Sequence, residues 1–402
     1  MTSQLRSSLF LLIVQSITAF ALYGFPESHA ASFALIAYAS SWMKCHHPDV
    51  FLAAILNAQP MGFYAPAQLV RDAREHSVEV RPVDVNRSQW DCTLEKTAGR
   101  YHAVRLGFCM VRSLKQTDAE QLVDRRTYDR IAASRAEKTF TTIEDVWRRA
   151  GVPMATLYHI AAADGFHGLG LSRRDAAWAI KGLRDEALPL FAAADDRAGL
   201  LRPEAPEPSV TLAPMSQGRQ VVEDYRSTGL SLRAHPLAFL RQTLTRQGFA
   251  SCRALKETPN GRLLSIAGLV LVRQMPGSAK GVMFITLEDE SANANLIVWP
   301  NVFEQHRRAI LGATMLGCHG RVQSADGVIH LIIDRVNDLS SQLKTVSGLE
   351  DEFPLSAGRG DEAKPGGSGL DSREPKPPVK PRDMYEPDLH IDTLKIRARN
   401  FR

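Results

Sequence analysis

The five cysteines (Cys45, Cys92, Cys109, Cys252, Cys318) contain no C-x-x-C pair, are odd in number and lie far apart in the sequence. Neither a disulfide framework nor a zinc site is indicated, and a reducing cytosol is the expected compartment. Long apolar runs are lacking as well. The nearest approach, Leu9 to Phe25, follows Arg6 and precedes the small residues Ala30, Ala31 and Ser32, as a secretory segment would. Gln15, Ser16 and Thr18 interrupt that run, which is already short for a membrane span, so no membrane partner is expected. Phe10, Ile13, Ile17 and Phe20 recur there at helical spacing, which suits a buried helix. Nor does charge of one sign dominate. A formal net charge of +5 over 402 residues permits a polyanionic partner without establishing one, because local clustering sets the field at a binding surface.

What is present is the composition of an ordinary globular protein, 44% hydrophobic and 23% charged, and the length predicts roughly two to four domains. Ser28 is a candidate helix N-cap, after which Phe33, Ala37 and Trp42 form an apolar stripe expected to be buried, ending near Lys44. Pro48 and Pro66 suit the first turns of helices over 48–58 and 66–76. His46-His47 lacks a third ligand at useful spacing, so termination of a helix before Pro48 is its expected role. VEVRPVDV (78–85) and the stretch from Tyr101 to Phe108 read as short strands. Helices return between about 109 and 190. A Pro-, Ala- and Glu-rich text between about 195 and 222 favours an extended linker.

Beyond Leu263 the period becomes that of strands. Three strands, a helix near NVFEQHRRAIL and two more strands give the order of a five-stranded OB barrel, with Asp326-Gly327 as the turn between the last two. After about Ser347 the composition cannot bury enough apolar surface to order itself, so a tail is expected, although DTLKIRARNFR at its end has the charge to dock or to bind phosphate. The predicted fold class is therefore multidomain α + β: a helical segment, a further helical domain, a C-terminal five-stranded OB barrel and a disordered tail.

Five stretches carry a family resemblance. Tyr23-Gly-Phe-Pro-Glu-Ser-His29 continuing to Tyr64, SLKQTDAEQL, GLGLSRRDAAWAI, DYRSTGLSLRAHP and the block GLVLVRQMPGSAKGVMFITLEDESANANLIVWPNVFEQ resemble bacterial C-family DNA polymerases, the DNA polymerase III alpha-subunit-like enzymes, in their error-prone branch. The resemblance runs over positions 9 to 348 in the family's order and begins inside the fingers, so it implies the C-terminal portion of a translesion polymerase without the palm carboxylates. It implies residues 1–90 as the C-terminal part of the fingers, 91–194 as a helix-hairpin-helix DNA-binding domain, 195–262 as linker and connecting helices, 263–347 as the OB-fold domain and 348–402 as tail. It also implies template-directed deoxynucleotidyl transfer as the parent reaction, Mg2+ as that reaction's cofactor, DNA as partner in primer-template and single-stranded form, and, more remotely, a sliding clamp and a mutagenesis adaptor protein. A non-catalytic DNA-binding or scaffold protein built from the same modules is the alternative.

Site residues follow from the blocks. Tyr23, His29 and Lys44, with Phe25, Arg71 and Arg74 nearby, are candidates for nucleotide and template contacts; Pro26-Glu27 stands where replicative members tend to carry Asn-Lys. The hairpin turn that would approach a phosphate is Ser113-Leu114-Lys115, which lacks both glycines of the Gly-hydrophobe-Gly pattern, leaving Arg112, Ser113 and Lys115 as side-chain donors. Arg148-Arg149 and Arg173-Arg174 are basic pairs near helix ends, explained by the helix dipole as readily as by DNA. In the barrel, Arg273 and Lys280 are candidate phosphate contacts and Phe284 a stacking face, while Trp299 is expected in the core. No Asp-x-Asp pair lies on a plausible strand. Asp195-Asp196 and Glu288-Asp289-Glu290 read as solvated turns, so no catalytic metal site is assigned.

Overall fold

The computed structural model describes residues 27–59, 64–112, 118–183, 212–276, 279, 281–325 and 327–348. Tyr23, Phe25, Ser113, Lys115, Asp195, Asp196, Lys280 and the tail lie outside the described residues. Helix α1 (Glu27–His46) is followed by α2 (Pro48–Asn57) and α3 (Pro66–Glu75). Prolines open α2 and α3 because a first-turn position has no intrahelical use for the N–H that proline lacks. The expected burial of the α1 stripe is not met: Phe33 is 57% and Trp42 48% exposed, with Leu35, Ile36 and Tyr38 exposed beside them. No described element covers that side, and Trp42 instead lies against the rings of His46 and His47 at the helix end.

Strands β1 (Val80–Arg81), β2 (Thr93–Glu95) and β3 (Ala103–Arg105) form a small sheet in the order β1-β3-β2, with β1 parallel and β2 antiparallel to the central strand. Four helices follow: α4 (Asp118–Glu137), α5 (Ile143–Ala150), α6 (Met154–Ala162) and α7 (Arg173–Gly182). Thr142 caps α5 by accepting from the Asp145 N–H, and Ser172 and Asp175 close a reciprocal capping box on α7. A single apolar core joins Leu52 and Leu56 of α2 to Val104, Phe108, Ile131, Leu157, Ile160 and Ile180. Packing is therefore continuous across position 90.

The linker reading stops short of its expected end. From 212 the chain packs: α8 (Gln217–Thr228), α9 (Arg241–Arg246) and α10 (Ala254–Glu257) lead into the barrel. Val222, Leu237, Leu240, Leu244 and Phe249 pack on Ala267, Leu269 and Met315 of the barrel, and on Leu343 of α12 (Ser340–Leu343). The approach is close enough to need a glycine, since a Cβ at Gly317 would come within 2.6 Å of the Phe249 ring.

The barrel is closed, in the order β4-β5-β6-β8-β7, from β4 (Leu263–Gln274), β5 (Met283–Glu288), β6 (Asn293–Val298), β7 (Met315–Ala325) and β8 (Val328–Asp338). Helix α11 (Pro300–Gly312) connects β6 to β7. Alternation along β5 and β6 sends Met283, Ile285, Leu287, Ala294, Leu296 and Val298 inward. Gly327, at φ +79°, supplies the left-handed residue of the β7–β8 turn.

Candidate nucleic-acid interface

Because the interior residues of β5, β6 and β8 are fixed by the core, their neighbours face outward. Register then sets which of these lie side by side. Phe284 pairs with Ile297, which pairs with Ile332, making one apolar row across three strands. In the adjacent row Thr286 pairs with Asn295, which pairs with His330. The Thr286 hydroxyl donates to Asn295 Oδ1 at 3.2 Å, Asn295 is exposed, and half-buried His330 keeps its Nδ1 buried and without a partner among the described residues. Phe284 is 36% exposed, and Trp299, expected in the core, is 48% exposed at the end of β6, where it precedes Pro300 and caps α11. An aromatic face beside an amide and an imidazole suits unstacked bases, which offer a π-face and a hydrogen-bonding edge.

Arg273 does not belong to this surface. It is 6% exposed, and its guanidinium donates to the carbonyls of Ile310 (2.5 Å) and Ala313, the last carbonyls around the end of α11. The residue clamps helix to barrel and satisfies acceptors that a helix C-terminus leaves unpaired. Its expected role as a phosphate contact is replaced by a structural one.

In the helical half Arg112 is exposed and makes no side-chain hydrogen bond or ion pair to another described residue; its N–H donates to Ser227 O at 2.7 Å and its guanidinium rests against Gly229. Burial of part of that guanidinium lowers its pKa. On α4, the helix that follows the predicted turn, Arg125, Arg126 and Arg130 are exposed and likewise without a partner among the described residues. The sequence reading passed over these three. The available signal was their spacing, since Arg126 and Arg130 stand four apart on one helix face with Arg125 beside them. The basic pairs resolve as structural: Arg148 pairs with Glu144 at 2.7 Å, Arg149 with Asp145 at 3.1 Å, Arg173 with buried Asp224, and Arg174 donates to Ala213 O.

Of the fingers candidates, His29 lies within α1 and Lys44 near its end, exposed, with its ammonium 3.0 Å from Asp72 of α3. Arg71 is committed elsewhere. It reaches Glu288 at 2.5 Å, the carbonyl of Asp289 at 2.7 Å and Glu75 at 3.0 Å, tying α3 to the barrel, while Arg74 donates to Leu232 O. The acidic run it meets is not a solvated turn. Glu288 and Asp289 are buried, Asp289 pairs with Arg241 at 2.7 Å and accepts from the Cys252 and Ser291 N–H groups, and Glu290 pairs with Arg241 at 2.5 Å. Burial raises the Glu288 carboxyl despite its arginine; at Asp289 burial opposes ionisation, but the converging donors prevail and lower it. His235 packs beside this cluster. Its Nδ1 accepts from the Leu237 N–H, its Nε2 is unpartnered 4.0 Å from Glu288, and burial, aided by Arg71 and Arg241, drops its pKa to about 3.

The Mg2+ implied for polymerisation finds no fit here. Among the described residues no group of three or more His, Cys, Asp or Glu side chains could hold a metal ion. The same residues contain no helix long and apolar enough to cross a membrane.

Residues 77–176 match the helix-hairpin-helix motif, and residues 264–339 match the OB-fold nucleic acid binding domain. Error-prone DNA polymerase 2 of Agrobacterium fabrum is 55% identical over 384 residues, which is 95% of this chain and 35% of that protein. This chain is homologous to the error-prone DNA polymerases. Error-prone DNA polymerase 2 of Rhizobium meliloti is also 55% identical, over 386 residues, and error-prone DNA polymerase 1 of Agrobacterium fabrum is 50% identical over 396, each with 35% of the relative covered. The chain thus spans about a third of the length of the polymerases it matches. Likeness to solved structures is confined to pieces: asparaginyl-tRNA synthetase from Pyrococcus horikoshii is 17% identical over 20% of each chain with a TM-score of 0.18, too little to carry an argument.

Proposed function

We propose that this chain supplies the DNA-gripping modules of an error-prone, translesion DNA polymerase acting in DNA repair and damage-induced mutagenesis in the cytoplasm. The observation that carries the reading is the outer barrel face, where Phe284, Ile297 and Ile332 lie beside Thr286, Asn295 and His330 in a barrel of nucleic-acid-binding type. Single-stranded template crosses this face with a base on Phe284 and base edges against Asn295 and His330. Arg112, Arg125, Arg126 and Arg130, with Ser113 and Lys115, are proposed to hold duplex backbone, and Lys280 is proposed as a further phosphate contact. Tyr23, His29 and Lys44 are the proposed contacts to nucleotide and template. The palm that binds Mg2+ and carries out deoxynucleotidyl transfer belongs to the remainder of such a polymerase, as do contacts to a sliding clamp and a mutagenesis adaptor.

The second reading is a non-catalytic DNA-binding or scaffold protein built from the same modules. Two assays on the full chain separate success from failure. Labelled single strand and primer-template are titrated with wild type and Phe284→Ala; a selective loss on single strand supports the proposed face, and equal affinities contradict it. Primer extension with Mg2+ or Mn2+ is expected to be nil. Extension abolished by a point change in this chain would contradict the division of labour between this chain and a palm.

A further inference from the structure

We propose that Cys92 and Cys109 form a redox-modification site, closing an intramolecular disulfide when the protein meets hydrogen peroxide. The two lie on segments that run side by side: Phe108 N–H donates to Gln89 O and Cys109 N–H to Trp90 O, both at 2.9 Å. Position 107 must be glycine for the approach, because a Cβ there would come 2.3 Å from Trp90 O. The freed space lets the Gly107 N–H point at Cys92 Sγ, 3.4 Å away, and the Cys109 thiol is in hydrogen-bonding contact with the same sulfur. Cys92 is 4% exposed, while Cys109, packed on the same core, is half-buried.

The chemistry of the two sulfurs differs in a useful way. The thiol of Cys109 and the N–H of Gly107 both donate to Cys92, favouring its thiolate, whereas Cys109, as the donor in an apolar setting, is pushed up and keeps its proton. Cys92 thiolate attacks one peroxide oxygen: an S–O bond forms, the O–O bond breaks, and the departing hydroxide takes a proton to leave as water. Cys109 sulfur then attacks the Cys92 sulfenic acid. The S–S bond forms, the S–O bond breaks, and the leaving hydroxide combines with the Cys109 proton as a second water. Two thiols lose two electrons and one peroxide gains them. Among the described residues no such pairing serves the other three: Cys252 and Cys318 are buried with their thiols pushed up by burial, Cys318 to about 12, and Cys45 is exposed on α1. Asn57 of α2 clasps Cys92 through both its N–H (2.7 Å) and its carbonyl (3.0 Å), so the bond would join the end of α2 to the segment entering the hairpin at Arg112.

The test is peptide mapping of the full chain after hydrogen peroxide, with free thiols alkylated before digestion and no reductant present. The expected result is a Cys92–Cys109 linked peptide lighter by two hydrogens than the sum of its parts and lost on dithiothreitol treatment. Cys109→Ser should stop the reaction at a Cys92 sulfenic acid that dimedone traps, and a Cys45→Ser background removes links between molecules. Oxidation confined to Cys45, or Cys92 advancing to sulfinic acid while Cys109 stays alkylatable, would overturn the proposal. None of these readouts depends on DNA binding.

Discussion

The helical half, which matches the helix-hairpin-helix motif, and the barrel, which matches the OB-fold nucleic acid binding domain, present opposite chemistry at their surfaces. Around the hairpin the conspicuous groups are arginines without ion-pair partners, Arg112, Arg125, Arg126 and Arg130, among the described residues. On the barrel the one arginine expected to meet DNA is spent on helix carbonyls, and the open face is neutral: Phe284, Ile297 and Ile332 beside Thr286, Asn295 and His330. On the proposed reading the first surface grips DNA through charge, which salt screens. The second would then grip it through bases, which salt leaves alone. Between them Arg71 pairs with buried Glu288 and ties α3 to the barrel, and Arg241 braces the same acidic run through Asp289 and Glu290.

The sharpest way to break that comparison is at the joint. Arg71→Ala strands Glu288 in a site where burial already raises its carboxyl, and a lost partner of this kind costs about 3 kcal/mol, read by urea unfolding. Arg71→Ala with Glu288→Gln should recover part of the loss. A change no larger than that of a surface substitution would show the halves to be independent. The same joint sets a pH dependence through His235. Its folded pKa, about 3, lies below the value near 6.5 of an unfolded histidine, so the unfolded chain takes up a proton that the folded chain refuses. Stability from this group is complete above pH 6.5 and declines as pH falls toward 3, by up to about 1.4 kcal/mol per pH unit. His235→Asn should flatten that stretch of the stability profile; an unchanged slope would assign the dependence to other groups.

The two surfaces themselves come after the joint. Phe284→Ala should weaken single-strand binding by about 1–2 kcal/mol, close to tenfold, and equally at low and high salt. Arg112→Ala combined with Arg126→Ala has the smallest effect on affinity at moderate salt but should flatten the plot of log affinity against log salt by about 0.7–0.9 for each phosphate no longer neutralised. Arg273→Ala is the counter-case: it should lower stability and leave that slope unchanged.

The barrel's succession of three strands, a helix and two strands was legible because period-two alternation is written locally, and the helix starts at Pro48 and Pro66 because proline acts on its own backbone. What was hidden depends on distant residues. Alternation says that Phe284 and Met283 face opposite ways but not which is inside, and only the pairing of β6 with β8 brings His330 beside Asn295. Glu288 read as a solvated strand end because its partner, Arg71, stands 217 positions away. Arg273 read as a DNA contact for the same reason: its acceptors, Ile310 and Ala313, belong to the far end of α11. Trp42 erred in the other direction, since an apolar stripe signals burial without saying what covers it.

Binding of one oligodeoxynucleotide in normal and abasic form, at low and high salt, tests the central claim most directly. Abasic strand keeps every phosphate and loses every stacking base. Two separate modes predict that abasic substitution lowers affinity at both salt concentrations, that Phe284→Ala abolishes this difference, and that the Arg112/Arg126 variant preserves it. An abasic strand bound as tightly as the normal one by the wild-type chain would contradict base recognition on the barrel face and leave charge as the sole grip.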